Sequence, residues 1–263
     1  MVQPGVCYNG CCRFQTCMNG GTCVELCDTP KEKFYCKCPP PFTGKLCEKG
    51  ALSCLDFLDA APIGTTLPSG NYTIRFRSGV RTVFCDFIDA NQAWILIESF
   101  SRENNMAYKT KAFHQNNARS QLSPNWEDYR PGLPFRKYMR NKTSMFRATC
   151  DFPKRGGVLT PDYLFGYLSD YDIINHGNTW ECRKFGHVNV RGYNYFNVSL
   201  FTVHFENVFH LHFECPASCP GFTGVPNSVG SEDCFGFYVS YNPASKCTAT
   251  AKSTTQWWFG EEL

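Results

Sequence analysis

Two histidines and a carboxylate occupy alternate positions near the end of a strand-like segment, at His210, His212 and Glu214. Alternate side chains of a β-strand project from the same face, so these three groups would meet there. Imidazole nitrogens and carboxylate oxygens are ligands of zinc, and such a site would support an extracellular metalloenzyme. The same alternation also fits a histidine face that is wetted by solvent while the apolar residues between them pack inward.

The preceding residues have the same alternating pattern, with Phe201 and Val203 separated by Thr202 and followed by His204. Alternation with a period of two predicts another strand, joined to the histidine-rich one through Asn207 by a hairpin or a bulge. Here too we expect the phenylalanine face to pack against the core.

A stretch without acidic residues lies between Asp128 and Asp151. Its residues 136–147 carry five positive charges, on Arg136, Lys137, Arg140, Lys142 and Arg147. They form either a solvated basic face or, if the side chains converge on one surface, a site for an acidic glycan. The net charge of the whole chain, +3, is too small to indicate nucleic-acid binding.

The sequence contains none of the motifs that mark common catalytic centres. It has no Gly-x-Ser-x-Gly elbow, no His-Glu-x-x-His helix and no glycine-rich phosphate loop. A reactive thiol is also disfavoured, because the chain has 17 cysteines and dense cysteines outside the cell are bonded to one another. We therefore expect a binding protein and no enzyme.

The cysteines and the glycosylation motifs indicate the compartment. No repeated pairs with zinc-ligand spacing occur, so we interpret the cysteines as disulfides of a secreted protein. Three N-glycosylation sequons, beginning at Asn71, Asn141 and Asn197, agree with the secretory pathway. The first residues lack an apolar signal region, which we interpret as a mature chain without its leader, and no apolar run approaches membrane-spanning length.

The first 48 residues consist largely of cysteines and loop residues. They contain Cys-Met-Asn-Gly-Gly-Thr-Cys, then Phe-Tyr-Cys-Lys-Cys, then Phe-Thr-Gly-Lys-Leu-Cys, and together these motifs resemble the last five cysteines of an EGF-like domain. The resemblance implies a small, disulfide-rich all-β module over residues 1–48. The pairing of that family implies three bridges: Cys12–Cys23, Cys17–Cys36 and Cys38–Cys47.

Two details of this module concern ligands and modification. Calcium-binding EGF-like domains carry carboxylates before their first cysteine, whereas residues 3–10 contain none, so we predict a calcium-free module. The pattern Cys-x-x-Gly-Gly-Thr-Cys resembles the acceptor motif for O-fucose, which implies that Thr22 is modified.

The odd number of cysteines leaves one without an intramolecular partner. Nine lie in the first module and eight in the rest of the chain, so the odd one belongs to the first module. Cys7, Cys11 and Cys12 are the candidates, and an unpaired thiol there favours a disulfide-linked oligomer or oxidation. Four cysteines of the larger domain have several pairings open to them: Cys150, Cys182, Cys215 and Cys219.

The stretch that begins at Cys54 combines strand patterns with further motifs. It reads Cys-x-Asp, then Ser-Gly-x-Tyr-x-Ile, then Val-x-Cys-Asp, and then Trp94 before an apolar strand. In this order the motifs resemble the opening of a fibrinogen-like domain. The resemblance implies an α+β domain over residues 49–263, entered through antiparallel strands. A Cys54–Cys85 bridge would fasten its first strand, which the two cysteines flank.

The C-terminal part diverges from that family. Cys234 and Cys247 have the spacing used beside the ligand pocket of fibrinogen-like domains, which implies a bridge between them, but the Trp-Trp-Tyr and Asp-x-Asp motifs are missing. Glu232 and Asp233 resemble the calcium and sugar site of intelectin-type lectins, which implies a calcium ion there. Three aromatic residues are expected to stack on a sugar ring, with burial in the core as the alternative for the last: Tyr238, Tyr241 and Trp257.

These features predict an extracellular recognition or adhesion protein that binds glycans or glycoproteins through its fibrinogen-like domain. A structural component of a matrix or cell coat is a hypothesis of another class, in which the two domains act as spacers without a small-ligand site. The third hypothesis is the metalloenzyme built on His210, His212 and Glu214.

Overall fold

The computed structural model describes most of the chain, and its described part is mostly β-sheet. The described residues are 10–14, 16–26, 33–62, 65–87, 91–155, 162–175, 177, 179–205, 208–212, 219–230, 233–236 and 238–263. The chain divides into two compact units, Met1–Ala93 with Glu262–Leu263, and Trp94–Glu261. The domain boundary expected after residue 48 falls inside the first unit and stays a prediction.

The first unit begins with two small hairpins held by cysteines. Its antiparallel pairs are β1 (Thr22–Glu25) with β2 (Phe34–Lys37) and β3 (Phe42–Thr43) with β4 (Lys49–Gly50). The buried residues of their core are the disulfide-bonded Cys17, Cys36 and Cys47. The disulfides are needed because so short a segment cannot bury enough apolar surface by itself. All three bridges implied by the EGF resemblance are present: Cys12–Cys23, Cys17–Cys36 and Cys38–Cys47.

A short helix and a hairpin complete the first unit: α1 (Leu55–Ala60), β5 (Gly70–Phe76) and β6 (Gly79–Asp86). The helix begins where the Asp56 carboxylate accepts hydrogen bonds from the backbone N–H groups of Leu52 and Ser53, at 2.6 and 3.0 Å. Cys54, just before the helix, is bonded to Cys85 with the Cα atoms 5.7 Å apart, as the sequence predicts.

The second unit contains the larger sheet. Its strands and longer helix are β7 (Gln92–Ser101), β8 (Asp128–Tyr129), α2 (Leu133–Arg140), β9 (Met145–Cys150), β10 (Tyr163–Tyr167), β11 (Thr179–Val190), β12 (Tyr193–Phe205), β13 (Val208–His212), β14 (Asp233–Cys234) and β15 (Thr254–Glu262). Two 3₁₀ turns, Arg102–Ala107 and Phe152–Arg155, lie between them. The strand order is β14-β13-β12-β11-β10-β9-β15-β7, and β8 pairs with β7. The late strand β15 thus lies between two earlier ones, which explains why all its residues up to Glu261 are buried.

An arginine sits inside this unit beside the central strands. Arg147 of β9 is 1% exposed, and its guanidinium carbon lies 4.3 Å from the ring centre of Trp94 and 4.8 Å from that of Trp258. Arg136 of α2 is also fully buried. The expected common basic surface from residue 136 to 147 is therefore wrong, because two of its five cations are enclosed.

The more deeply buried face of β12 is the opposite of the predicted one. Thr202 and His204 are fully buried, whereas Val203 is 7% exposed and Phe201 is only half-buried. Both imidazole nitrogens of His204 have partners, since the Tyr171 hydroxyl lies 2.9 Å from Nδ1 and Nδ1 of His114 lies 3.1 Å from Nε2. A histidine that is hydrogen-bonded on both sides can be buried, and the alternation of the sequence does not reveal such partners.

The disulfides of the second unit correct one prediction. Cys247 is bonded to Cys150 at the end of β9, and Cys182 is bonded to Cys219. The expected Cys234–Cys247 bridge is wrong, because Cys234 belongs to β14, which four strands separate from β9 in the strand order. The spacing of two cysteines along the chain gives the length of the loop between them, but it does not show which strands are neighbours in the sheet.

Candidate binding site

A small pocket of about 10 Å³ lies in the second unit, with room for one water-sized group. Aromatic side chains and one buried ion pair form most of its lining, together with the backbone of Gly236. The lining residues are Glu98, Tyr108, Lys111, Phe113, Arg130, Phe209, Phe235, Gly236 and Trp257. Three of them come from the C-terminal part, where the sequence predicts a ligand site.

The ion pair joins Glu98 of β7 to Arg130, which directly follows β8. Nε of Arg130 donates to Oε2 of Glu98, and Nη2 donates to the carbonyl oxygen of Lys111 at 2.8 Å. Nη1 is buried and has no hydrogen-bond partner among the described residues. Since Arg130 is 2% exposed and lines the pocket, this N–H group can donate to an oxygen atom of a bound molecule.

A second buried guanidinium increases the positive potential around this pair. Arg136 donates to the carbonyl oxygens of Pro131 at 2.9 Å and Gln115 at 2.6 Å, and also to that of Phe113. Burial, assisted by the charge of Arg130, lowers the pKa of Arg136 to about 9. Burial raises the pKa of Glu98, and the Arg130 charge opposes that rise. Two cations are thus close to one carboxylate, which favours a ligand atom that accepts a hydrogen bond from Arg130.

A second ion pair fixes the wall of the pocket. The Tyr108 hydroxyl donates to Oδ1 of Asp128 at 2.7 Å, and Arg119 donates to both oxygens of the same carboxylate. Burial acts to raise the pKa of Asp128, but the bonds from Arg119 and Tyr108 outweigh it and the pKa is lowered. Burial and the Asp128 carboxylate raise the pKa of Tyr108, so its neutral phenol is held in place.

This arrangement predicts a loss of stability in acid. Because the folded pKa of Asp128 lies below its ordinary value of 3.8, its contribution is complete above that value and is lost as the pH falls through the folded pKa. We expect Asp128→Asn to lower the melting temperature at pH 7 and to flatten its decline below pH 4, as measured by circular dichroism. Asp170→Asn, at an exposed carboxylate, is the control and should leave the wild-type profile unchanged. Identical profiles for the two variants would contradict the assignment.

Two of the three predicted sugar-stacking residues are core residues. Tyr238 is 2% exposed and its hydroxyl lies 2.7 Å from Oγ1 of Thr255. Trp257 is 1% exposed, and its Nε1 donates to the carbonyl oxygen of Phe235 at 2.6 Å. The stacking prediction is therefore wrong for both, since their faces are packed, and the alternative of burial holds for Trp257. Tyr241 is 44% exposed.

The predicted metal ligands are only partly described. Glu232 and Glu214 lie outside the described residues, and the side chains of Asp233, His210 and His212 are likewise not described. In the described ranges no group of three or more His, Cys, Asp or Glu residues could hold a metal ion. The calcium and zinc hypotheses therefore stay predictions.

The predicted modification sites are accessible. Asn71, Asn141, Asn197 and Thr22 are all exposed, as attachment of a sugar requires. Of the three candidates for the cysteine without an intramolecular partner, Cys12 is excluded, because it is bonded to Cys23. Cys7 lies outside the described residues.

Sequence reasoning missed the charged centre of the pocket. Its signal was present in Ala-Trp-Ile-Leu-Ile-Glu, where Glu98 interrupts an otherwise apolar strand. A carboxylate within a buried strand requires a cation nearby, which predicts an ion pair without naming its partner. The partner, Arg130, is 32 residues away along the chain.

Together these features define a disulfide-rich, mostly β protein, and its disulfides are consistent with an extracellular protein. In the described part of the chain, no helix has the length and apolar character needed to cross a membrane.

Comparisons with known proteins give a local similarity. No protein-family model matches the chain, and no solved structure matches it. A stretch of 79 residues is 33% identical to a Caenorhabditis elegans protein described as a cubilin homolog. The matched stretch is 29% of this chain and 2% of that relative, so the similarity concerns a small part of both proteins.

Proposed function

We propose that this chain is an extracellular recognition protein, an EGF-like module joined to a divergent fibrinogen-like domain, that binds a glycan or glycoprotein at the Glu98–Arg130 pocket. The two-domain assignment is supported by the disulfides of the first unit, which follow the pairing of the EGF family and the expected Cys54–Cys85 bridge. The binding site is supported above all by Nη1 of Arg130, which is buried beside the pocket without a described partner.

The pocket favours a hydroxyl group over a carboxylate. A hydroxyl oxygen can accept a hydrogen bond from Arg130 and can donate its proton to Glu98, whereas a carboxylate would face the like charge of Glu98. A volume of about 10 Å³ accommodates one such group and not a whole ring. The aromatic lining suits the C–H groups next to a sugar hydroxyl. We therefore infer that one hydroxyl of a neutral saccharide enters the pocket.

A substitution at Gly236 tests this function. A Cβ atom there would meet only the carbonyl oxygen of Phe209, at 3.8 Å, so the methyl group of Gly236→Ala should occupy the pocket without straining the fold. We expect the wild type to bind neutral glycans on an array and Gly236→Ala to bind at least about tenfold more weakly, equivalent to about 1.4 kcal/mol. Gly230→Ala is the matched control, because a Cβ at Gly230 has open space around it.

Three outcomes are decisive. Equal glycan binding by Gly236→Ala and the wild type would place the site elsewhere. A wild type that binds no glycan would favour the structural-component hypothesis. Loss of binding after chelation with EDTA would support the calcium prediction for Glu232 and Asp233, which the Arg130 pocket does not require.

A further inference from the structure

An aromatic surface with two exposed and two partly exposed side chains lies on neighbouring strands of the second unit, and we call it the aromatic platform. It consists of Phe165 and Tyr167 on β10, His187 on β11 and Phe196 on β12. Phe196 is 66% exposed and Tyr167 is 43% exposed. Large aromatic side chains in such numbers on one surface indicate that something covers them.

The strand register brings the members of the platform together. Phe165 pairs with His187, and His187 pairs with Phe196, so three directly opposed residues share one face across three strands. The rings of His187 and Phe196 are stacked, with centres 4.4 Å apart and 12° between planes. A Cβ atom on Gly186 would lie 2.9 Å from the Phe165 ring, so this glycine leaves the space that the ring occupies.

A glycosylation sequon adjoins the platform. Asn197 directly follows Phe196, and the pairs on either side of it place it opposite Gly186. It is exposed, and its φ of 51° is a left-handed conformation that asparagine tolerates better than most residues. Ser199 completes the motif Asn-Val-Ser.

We propose that Asn197 carries an N-linked glycan whose first sugars lie on the aromatic platform. In the transfer, the Asn197 amide nitrogen attacks C1 of the first sugar of a lipid-diphosphate-linked oligosaccharide. An N–C1 bond forms, the C1–O bond to the diphosphate breaks, its electron pair leaves with the lipid diphosphate, and the nitrogen loses one proton to solvent. The partly positive C–H groups of a sugar then face the electron-rich faces of the rings.

Covalent attachment makes the contact between the sugar and the platform independent of protein concentration. The sugar is tethered beside Phe196, so the stacking is intramolecular and does not depend on the weak affinity of a free saccharide. The glycan thereby covers an apolar surface that would otherwise promote association between molecules.

The test uses Ser199→Ala, which removes the sequon and keeps Asn197 in its left-handed conformation. Wild type and variant are produced in secretory eukaryotic cells, and again in bacteria, which do not glycosylate them and so report the effect of the substitution alone. We expect mass spectrometry to find a glycan on the wild-type peptide. In the eukaryotic protein, loss of that glycan should lower the melting temperature by about 2–4 °C, increase binding of a hydrophobic dye, and leave the bacterial pair alike.

A second variant separates stacking from mere attachment. In glycosylated Phe196→Ser, the first sugar's proton resonances should lose the upfield shift that a ring face causes in the wild type. An unmodified Asn197 peptide overturns the proposal. So does a glycan whose removal has no more effect than removal of the one at Asn141, or one without ring-shifted resonances. Dimerisation through Phe196 in the glycosylated protein also overturns it, because a second copy would then be the occupant.

Discussion

Replacing Cys150 and Cys247 together by alanine is expected to lower the free energy of unfolding by about 4–5 kcal/mol. The bridge joins residues 97 apart in sequence, so its removal frees a long loop in the unfolded chain. Both cysteines are buried, at 3% and 1% exposure, and alanine avoids placing a new polar group there. Urea denaturation followed by tryptophan fluorescence measures the change.

The matched control removes the shorter bridge of the same unit. Cys182 and Cys219 are 37 residues apart. The free energy of unfolding of this double alanine variant should therefore fall by about 0.9 kcal/mol less than that of the Cys150/Cys247 variant. Proteolytic mapping without reduction should give a peptide that links Cys150 to Cys247. A peptide linking Cys234 to Cys247 would contradict the structure and restore the pairing that the fibrinogen-like spacing implies.

The disulfides show which parts of the fold the sequence makes predictable. The bridges of the first unit close short segments, and their pairing was implied by the resemblance to EGF-like domains and, for Cys54–Cys85, by the strand that the two cysteines flank. The partner of Cys247 depends on β15 lying beside β9, which brings together parts of the chain about 100 residues apart. Such strand order follows from the packing of the whole sheet, and local spacing does not contain it.

The run of basic residues and the alternating pattern also failed to predict which side chains are buried, for a related reason. In the sequence Arg147 belongs to the predicted basic surface, whereas in the fold it is buried next to Trp94 and Trp258. His204 was expected on the solvent face, whereas in the fold its two ring nitrogens are hydrogen-bonded to Tyr171 and His114. In each case a polar side chain is buried because distant residues satisfy it, and a single sequence does not identify those residues.

Only part of the pocket lining lies where the sequence predicted a ligand site. The resemblance to fibrinogen-like domains implied a site in the C-terminal part, and Phe235, Gly236 and Trp257 of the lining lie there. Its polar groups come from β7 and from the residue after β8, far earlier in the chain. The family motifs that would have indicated the site are missing, so its charged centre emerges only from the packing.

The second large effect is expected at that charged centre, where Glu98→Ala should lower the free energy of unfolding by about 3–5 kcal/mol. Glu98 and Arg130 are 3% and 2% exposed, and removal of the carboxylate leaves Arg130 and the buried Arg136 without a compensating charge. A water molecule in the pocket would offer Arg130 only a neutral acceptor, which does not compensate the lost negative charge. Glu98→Gln keeps an oxygen that accepts from Arg130 and is expected to cost less than Glu98→Ala. Thermal and urea unfolding of the two variants measures the contribution of the charge itself.

A double variant decides whether the ion pair stabilises the fold or serves the pocket. Glu98→Met with Arg130→Met removes both charges and retains apolar volume, so it should recover most of the stability lost in Glu98→Ala. If the pocket binds a saccharide hydroxyl, the same double variant should fold and yet bind no glycan, because neither the donor nor the acceptor remains. A double variant as unstable as Glu98→Ala would show that the pair is required for folding. One that retains glycan binding would contradict the role proposed for Arg130.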